Sequence, residues 1–393
     1  MRKLCVYTST RAEYGLLRGL IHKIHICPDL QLQLLTSGTH LVPDQGMTIE
    51  EIRKDGFEPD KCVDIDLSDD SPKGICHSIG IAVSEYGKFF AEYNPDLLVV
   101  LGDRFEAFCC ASAALVCRIP VAHIHGGETT QGAIDEAFRH CITKIAHLHF
   151  PCCEEYRNRI IQMGESPEHV YNVGALGVEN IRNLKLMERH ELEESLGFKL
   201  NKPFFLVTFH PVTLERDSSK IQFTQLLTAL DQYPDHKIIF TGANADTDGK
   251  IINQLQNEYK SKHPDQCLVV SSLGYLRYLS AMKLSKAVVG NSSSGILEAP
   301  VLKIPSVNIG DRQKGRLRVD SIIDCEPSKD SIISAFKRIS QKTFQSKINH
   351  MLIPFEKAKT SETIKKTIQN VDLTDILKKK FLDIVPNGKS KLG

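Results

Sequence analysis

The chain has 393 residues, 41% of them apolar and 25% charged, values of an ordinary globular protein that exclude disordered and fibrous classes. Its 49 basic and 48 acidic residues leave a net charge of +1, without the basic surplus or basic run expected of a nucleic-acid binder. At roughly 100–200 residues per domain this length predicts two domains, and no apolar run approaches the roughly 20 residues that a membrane-spanning helix needs.

In chain order, Leu4–Ser9 reads as a strand and Glu13–His25 as a helix, followed by a strand at Leu30–Ser37 and a helix at Ile79–Tyr93. The alternation continues with strand Leu97–Gly102, helix Phe105–Cys117, strand Ile119–His125, helix Ile134–Ala146, strand Leu148–Cys152, helix Glu154–Met163 and strand Val170–Gly174. Near-continuous apolar strands separated by amphipathic helices are the pattern of a parallel sheet covered on both faces. The charged stretch Gly174–Leu200 interrupts the series, and the pattern then restarts. Strands are predicted at Phe204–Phe209, Ile238–Thr241, Cys267–Ser271, Ala287–Gly290 and Ser306–Ile309, with helices at Ser219–Gln232, Lys250–His263, Tyr275–Leu284 and Gly295–Ala299 between them. After Pro354, Thr360–Val371 has helical periodicity and is expected to pack back on the first domain. The predicted organisation is therefore α/β: two doubly wound domains, residues 1–175 and 176–358, facing a central cleft, with a returning helical segment at 359–393.

Twelve cysteines include the adjacent pairs Cys109-Cys110 and Cys152-Cys153 but no C-x-x-C spacing for a zinc site. Most lie inside apolar patterns, where a free thiol acts as a small hydrophobe, which predicts a reducing compartment. The first strand begins at once, leaving no room for a signal peptide, so a cytoplasmic location is expected.

Ligands of open parallel sheets bind at the carboxyl ends of the strands, and both series carry polar residues there. In the first series these are Arg11 and Glu13, then Asp103 and Arg104, then His125 and Glu128. In the second they are His210, Asn244, Gly290-Asn-Ser-Ser-Ser-Gly295 and Arg312. Three serines between two glycines, ending a strand and opening a helix, suit an anion at the positive helix terminus. A plain N-cap explains one serine only. Arg11 and Arg312 match a diphosphate, since a guanidinium offers phosphate oxygens a fixed fork, although either alone reads as a surface ion pair. Glu298, one turn into the helix after Ser294, is placed to accept from two ribose hydroxyls or else to face solvent. Acid–base candidates are Asp103, Glu128, Asp135 and Glu136. In the helix, Asp135 and Arg139 stack at i, i+4, as do Glu136 and His140. No G-x-G-x-x-G follows the first strand, no G-x-S-x-G elbow occurs, and Gly242–Lys250 lacks the Ser/Thr of a phosphate loop. No metal or redox cofactor is expected.

Taken together, Arg11-Ala-Glu-Tyr, Ser37-Gly-Thr-His40, Gly102-Asp-Arg-Phe, His123-Ile-His-Gly-Gly-Glu128, Ile134-Asp-Glu-Ala-Phe-Arg-His140, His210-Pro-Val-Thr and Gly290-Asn-Ser-Ser-Ser-Gly295 resemble the hydrolysing UDP-N-acetylglucosamine 2-epimerases. The resemblance runs from the first strand to about Arg316. It implies a GT-B arrangement of two Rossmann-like domains. The implied reaction is UDP-N-acetylglucosamine plus water giving N-acetylmannosamine plus UDP, by anti elimination of UDP and hydration of 2-acetamidoglucal. A UDP-sugar substrate, a UDP product and a homodimer or homotetramer are implied as partners. Matching motif positions imply a catalytic set of Asp103, Glu128, Asp135, His125 and Arg139. The implied UDP contacts are Arg11, Gly15, Arg104, His210, Asn244, Leu273, Ser292, Ser293, Glu298 and Arg312. Where relatives carry Glu in the His-Ile-His motif this chain has His125, so either Glu128 or His125 moves the proton; removal of H2 needs an anionic base, which favours Glu128. The stretch 127–132 also resembles epimerases acting on UDP-2,4-diacetamido-2,4,6-trideoxyglucose, a second candidate substrate. A GT-B glycosyltransferase is the alternative from another class.

Overall fold

The computed structural model describes residues 1–43, 46–130, 133–211, 218–242, 247–384 and 390–391. It contains two compact units, one formed by Met1–Glu128, Ile134–Asn180 and Pro354–Gly393, the other by Thr129–Ala133 and Ile181–Ile353.

The first unit runs β1 (Arg2–Thr8), α1 (Arg11–His25), β2 (Leu30–Ser37), α2 (Ile49–Lys54), β3 (Lys61–Val63), α3 (Pro72–Tyr93), β4 (Leu97–Leu101), α4 (Phe105–Val116), β5 (Val121–Ile124), α5 (Asp135–Ile145), β6 (Leu148–Phe150) and α6 (Glu154–Gln162). Its strands form a six-stranded sheet in the order β3-β2-β1-β4-β5-β6, with every pairing parallel. Successive side chains of a strand point to opposite faces, and β1 shows the consequence. Leu4 and Val6 join the core under α1, while Cys5 and Tyr7 join a separate core under α3 and α4. Both faces are therefore buried, which is why the strand reads as an unbroken apolar run.

Helix α7 (Leu176–Asn183) leads out of the first unit. The second contains α8 (Arg189–Leu196), β7 (Phe204–Thr208), α9 (Ser219–Leu230), β8 (Lys237–Thr241), α10 (Thr247–Lys262), β9 (Cys267–Val270), α11 (Gly274–Leu284), β10 (Ala287–Gly290), α12 (Ser294–Val301), β11 (Ser306–Ile309), β12 (Ile322–Cys325), α13 (Lys329–Ile339) and α14 (Lys342–His350). Its sheet order, β12-β11-β10-β7-β8-β9, repeats that of the first unit strand for strand. In both, the order reverses beside the first strand, between β1 and β4 and between β7 and β10. A doubly wound sheet opens its ligand crevice at that point.

The last helix, α15 (Thr360–Asn370), returns to the first unit as the fold class predicts, with Ile364 and Ile368 fully buried in the core that α1 also covers. The Arg2 guanidinium donates to the carbonyls of Ile368 and Val371, and Thr360 Oγ1 donates to the Val173 carbonyl at 2.8 Å.

Three expectations need correction. Val170–Gly174 is not a strand; Val170 makes a single isolated bridge to His149. The sixth strand of that sheet is instead β3, a three-residue edge whose Lys61 and Cys62 are exposed, so no apolar run announced it. In the second sheet the edge strand β12 was missed for a similar reason, since only Ile323 of its four residues is buried. Helix α3 starts seven residues earlier than Ile79, at Pro72, with Ser71 as N-cap and proline in the first turn, a start signal that its weak apolar period hid.

Candidate functional site

At the reversal point of the first sheet, β4 ends in Gly102, whose φ of 82° turns the chain into Asp103. Asp103 is half-buried and ion-paired with Arg139 of α5, a guanidinium only 2% exposed, which also reaches Glu136 at 3.2 Å. The predicted i, i+4 pair Glu136–His140 forms at 3.1 Å. Arg139 thus spans from its own helix to the β4 end, a contact the helical spacing alone did not show.

Beside it, β5 carries His123 one residue before the strand ends at Ile124, and its Nε2 lies 2.7 Å from the Gly102 carbonyl. That geometry requires a proton on Nε2. Burial holds the ring's pKa down at about 3, so it is a neutral strut between strand ends. His125 follows in the left-handed region at φ 63°, uncommon for a residue with a Cβ. Gly127, at φ 78°, packs so closely on the Tyr156 carbonyl that no side chain fits there. This tight turn carries Glu128 back into the interior, 4% exposed, with its Oε1 3.5 Å from His125 Nδ1. The two residues between which the sequence left the proton transfer open are therefore neighbours.

Arg104 begins α4 and forms a forked pair with Glu106, its Nη2 2.8 Å from Oε1 and its Nε 3.1 Å from Oε2, and Glu106 is fully buried. Burial opposes the Arg104 charge, but Glu106, Glu13 and Asp135 more than offset it and hold the guanidinium firmly protonated. The last of these places Asp135, the first residue of α5, within electrostatic reach of Arg104. Arg11 sits at the start of α1 in an ion pair with Glu51 at 2.8 Å, about two-fifths exposed. Gly15, one turn on, faces open space where a Cβ would be.

The second unit has a separate cluster at its own reversal point. Gly290 ends β10 at φ 131°, pressed against the Thr208 carbonyl so that only glycine fits. Asn291, fully buried, then ties the β7 and β10 ends together: its Oδ1 accepts from the His210 N–H at 2.7 Å and its Nδ2 donates to the His210 carbonyl at 2.8 Å. The Asn291 carbonyl accepts from Gln313 Nε2 at 2.9 Å and Arg312 Nη1 at 3.2 Å. His210 is thus held beside Arg312. Burial first, and then that cation, keep its pKa near 3, so the ring is neutral. Ser293 is the N-cap residue of α12, and the hydroxyls of Ser292, Ser294 and Tyr278 form a chain at 3.0 and 2.5 Å. Glu298 is half-buried, not a solvated helix residue; burial pushes its carboxyl up to about 7, and among the described residues no cation or hydrogen bond offsets it. Leu273, 2% exposed, caps α11, its carbonyl accepting from Arg277 Nε at 2.7 Å. Asn244 lies outside the described residues.

A family model described as UDP-N-acetylglucosamine 2-epimerase matches residues 22–369. The chain belongs to that epimerase family. A Campylobacter jejuni protein named GDP/UDP-N,N'-diacetylbacillosamine 2-epimerase (hydrolyzing) is 41% identical over 98% of this chain and 99% of its own length. Polysialic acid biosynthesis protein P7 of Escherichia coli is 40% identical over 91% of each chain. The Neisseria meningitidis UDP-GlcNAc 2-epimerase solved with UDP-GlcNAc bound superposes with a TM-score of 0.81 over 94% of this chain and 100% of that one, at 18% identity, a likeness of fold. As a UDP-sugar 2-epimerase, the protein has the two parallel-sheet units of that family.

The motif reading of this epimerase missed the buried partners of its polar strand ends. Glu13, Glu106, Asn291 and Gln313 are each under a tenth exposed, and each holds another polar group in place. Glu13 was legible: Thr10-x-x-Glu13 is a capping box, and both of its reciprocal bonds are present. Among the described residues no cluster of His, Cys, Asp or Glu has the grouping of a metal site, and no helix is long and apolar enough to cross a membrane.

Proposed function

We propose that this epimerase is hydrolysing: it takes H2 from a UDP-2-acetamido sugar, expels UDP from C1, and hydrates the resulting 2-acetamidoglucal. The observation that carries the reading is Glu128, a carboxylate buried at the end of β5 beside His125 at 3.5 Å. Abstraction of a weakly acidic C–H needs an anionic base held in place, and a buried carboxylate beside an imidazole supplies one. In the elimination Glu128 receives H2, and the C1–O bond breaks with its electron pair leaving on UDP. In the second step water delivers hydroxyl to C1 while a proton is added to C2 on the opposite face, which inverts C2 and gives the free manno sugar. Asp103, held by Arg139, and Asp135, facing Arg104, are the carboxyl groups for that proton and for the water. Arg312, His210, Ser292 and Ser293 hold the diphosphate, Glu298 the ribose and Leu273 the uracil, with Arg11, Gly15, Arg104 and Asn244 as the remaining nucleotide contacts. The diphosphate is already a good leaving group, so the anion donors stabilise it without protonating it.

Two sugars compete. The names of the relatives at 41% and 35% identity favour N,N'-diacetylbacillosamine, the 2,4-diacetamido-2,4,6-trideoxy sugar, over N-acetylglucosamine. A side-by-side NMR time course in D2O decides between them. Expected is release of UDP with the free 2-epimerised sugar, deuterated at C2, faster from the 2,4-diacetamido substrate. A UDP-linked epimer in place of free sugar would refute hydrolysis. In the same assay Asp103→Asn is expected to lower kcat by about 10²–10⁴-fold with little change in KM. Retention of most activity would remove Asp103 from the acid–base set.

A further inference from the structure

One buried nucleophilic group takes no part in the steps above. Cys152 follows β6, fully buried, and its Sγ donates to Glu128 Oε1 at 3.7 Å, the same oxygen that lies 3.5 Å from His125 Nδ1. Two segments meet at that oxygen: the loop after β5 that carries both His125 and Glu128, and the β6 end. The two are clamped together, since Gly127 is wedged against the Tyr156 carbonyl and the Gly127 carbonyl accepts from Arg159 Nη1 at 2.5 Å, both residues lying in the helix after Cys152. The Cys152 carbon frame therefore has no freedom to retreat from the carboxylate.

We propose that Cys152 is a positioning residue for Glu128, whose thiol orients the carboxylate while damping its basicity less than a hydroxyl would. This rests on Glu128 being the base. The chemistry is in the donor. A thiol is a weak hydrogen-bond donor and sulfur is large, so it fills the space behind the carboxylate and fixes one oxygen with a long, soft contact. A hydroxyl or N–H in its place would hold the anion more tightly, and a tightly held anion is a poorer base. A bare methyl would take one donor away from that oxygen in a buried setting, favouring the protonated form. The groups that face Glu128 include His125 on its own loop, Cys152, and Cys153, the N-cap residue of α6, which is hydrogen-bonded to Cys152. Neither substitution alters His125, and the Cys152–Cys153 hydrogen bond is separated out by making both substitutions in a Cys153→Ala background.

The sign of the effect separates positioning from mere packing. In Cys152→Ser the acidic limb of the pH–kcat profile is expected to move down, and in Cys152→Ala up, each by about half a pH unit. kcat at neutral pH should fall at least several-fold in both, while KM stays within about twofold, since Cys152 touches no nucleotide contact. A second, activity-free readout is the S–H stretching band in the infrared, assigned by subtracting the Cys152→Ala spectrum. It should shift in Glu128→Gln, where the acceptor becomes a neutral amide. Limbs that move in the same direction or not at all, with an S–H band insensitive to Glu128→Gln, would overturn the proposal. Glu128→Gln supplies the separate control. If that variant keeps wild-type turnover, the base assignment fails whatever Cys152 does; if it is inactive while Cys152→Ser and Cys152→Ala keep both profile and rate, only the role of Cys152 fails.

Discussion

Glu298 sits in a half-buried position on α12 with a carboxyl pushed up to about 7, because burial penalises its charge and no described residue compensates. Two vicinal hydroxyls would supply the missing donors, and bonds to a charged acceptor are worth more than bonds to a neutral one. Binding of a ribose should therefore strengthen as pH rises through about 7 and the carboxylate forms. Uridine tests this cleanly, as it carries no phosphate to titrate in that range. NMR titration at pH 6 and 8 should show tighter binding at pH 8. Glu298→Gln should lose that difference and bind about tenfold more weakly than wild type at pH 8. Equal affinities of the wild type at the two pH values would mean that Glu298 does not meet the ribose. Residues of this kind divide by how far they were readable. Glu298, His210 and Arg312 could be picked out because strand ends and a serine-rich turn flagged the region. The buried state of Glu298 could not, since helix position says which face a residue occupies but not what covers it. Asn291 was given no role of its own beside the three serines, and its work in lashing the β7 and β10 ends together is a tertiary fact that no local pattern encodes.

At the level of elements, the strong apolar strands were legible to within a residue or two because both sheet faces are buried. The edges β3 and β12 were not, because an edge strand has fewer covered positions and so less pattern. The start of α1 was placed two residues late, at Glu13 instead of Arg11, although the capping box stated it. That box has an unusual member. Glu13 is 7% exposed, its Oε2 accepts from the Ser9 and Thr10 backbones, and its Oε1 has no hydrogen-bond partner among the described residues. Burial raises its carboxyl from 4.5 to about 7, the Arg104 charge opposing and the Glu106 charge adding to the rise. The unfolded chain releases this proton near 4.5, whereas the folded chain keeps it until about 7. Glu13 therefore contributes its full stability below pH 4.5, and that contribution is lost as pH rises through 7. The loss is on the order of 3 kcal/mol at most, at 1.36 kcal/mol per unit. Glu13→Gln keeps an acceptor for the helix start and carries no proton to lose. Urea denaturation should find the variant gaining on wild type between pH 5 and pH 8. A stability difference that stays constant across that range would show that Glu13 is ionised in the fold throughout.

On the scale of the whole molecule, each sheet has its own apolar core. Phe223, Phe240 and Phe336 lie in that of the second unit, and Leu4, Val6, Ile364 and Ile368 in one of the two that sandwich the first. The periodicity of α15 was visible in the sequence, and its destination followed from its apolar face needing a partner, but the Arg2 anchor beneath it was not foreseeable. Separate cores predict two calorimetric transitions. Ile368→Ala should lower one and Phe223→Ala the other, each by about 2–5 kcal/mol of stability. These variants then serve as labels for the nucleotide. UDP at about a hundred times its Kd should add about 2.7 kcal/mol to the structure it binds. The larger shift is expected in the transition that Phe223→Ala lowers, because the Gly290–Ser294 turn, Arg312 and Glu298 all belong to that unit. A smaller rise in the Ile368→Ala transition is expected from Arg11 and Arg104, and Arg11→Ala should reduce it, since breaking its exposed pair with Glu51 costs little by itself. A UDP-induced shift confined to the first unit's transition would move the diphosphate site away from the serine-rich turn.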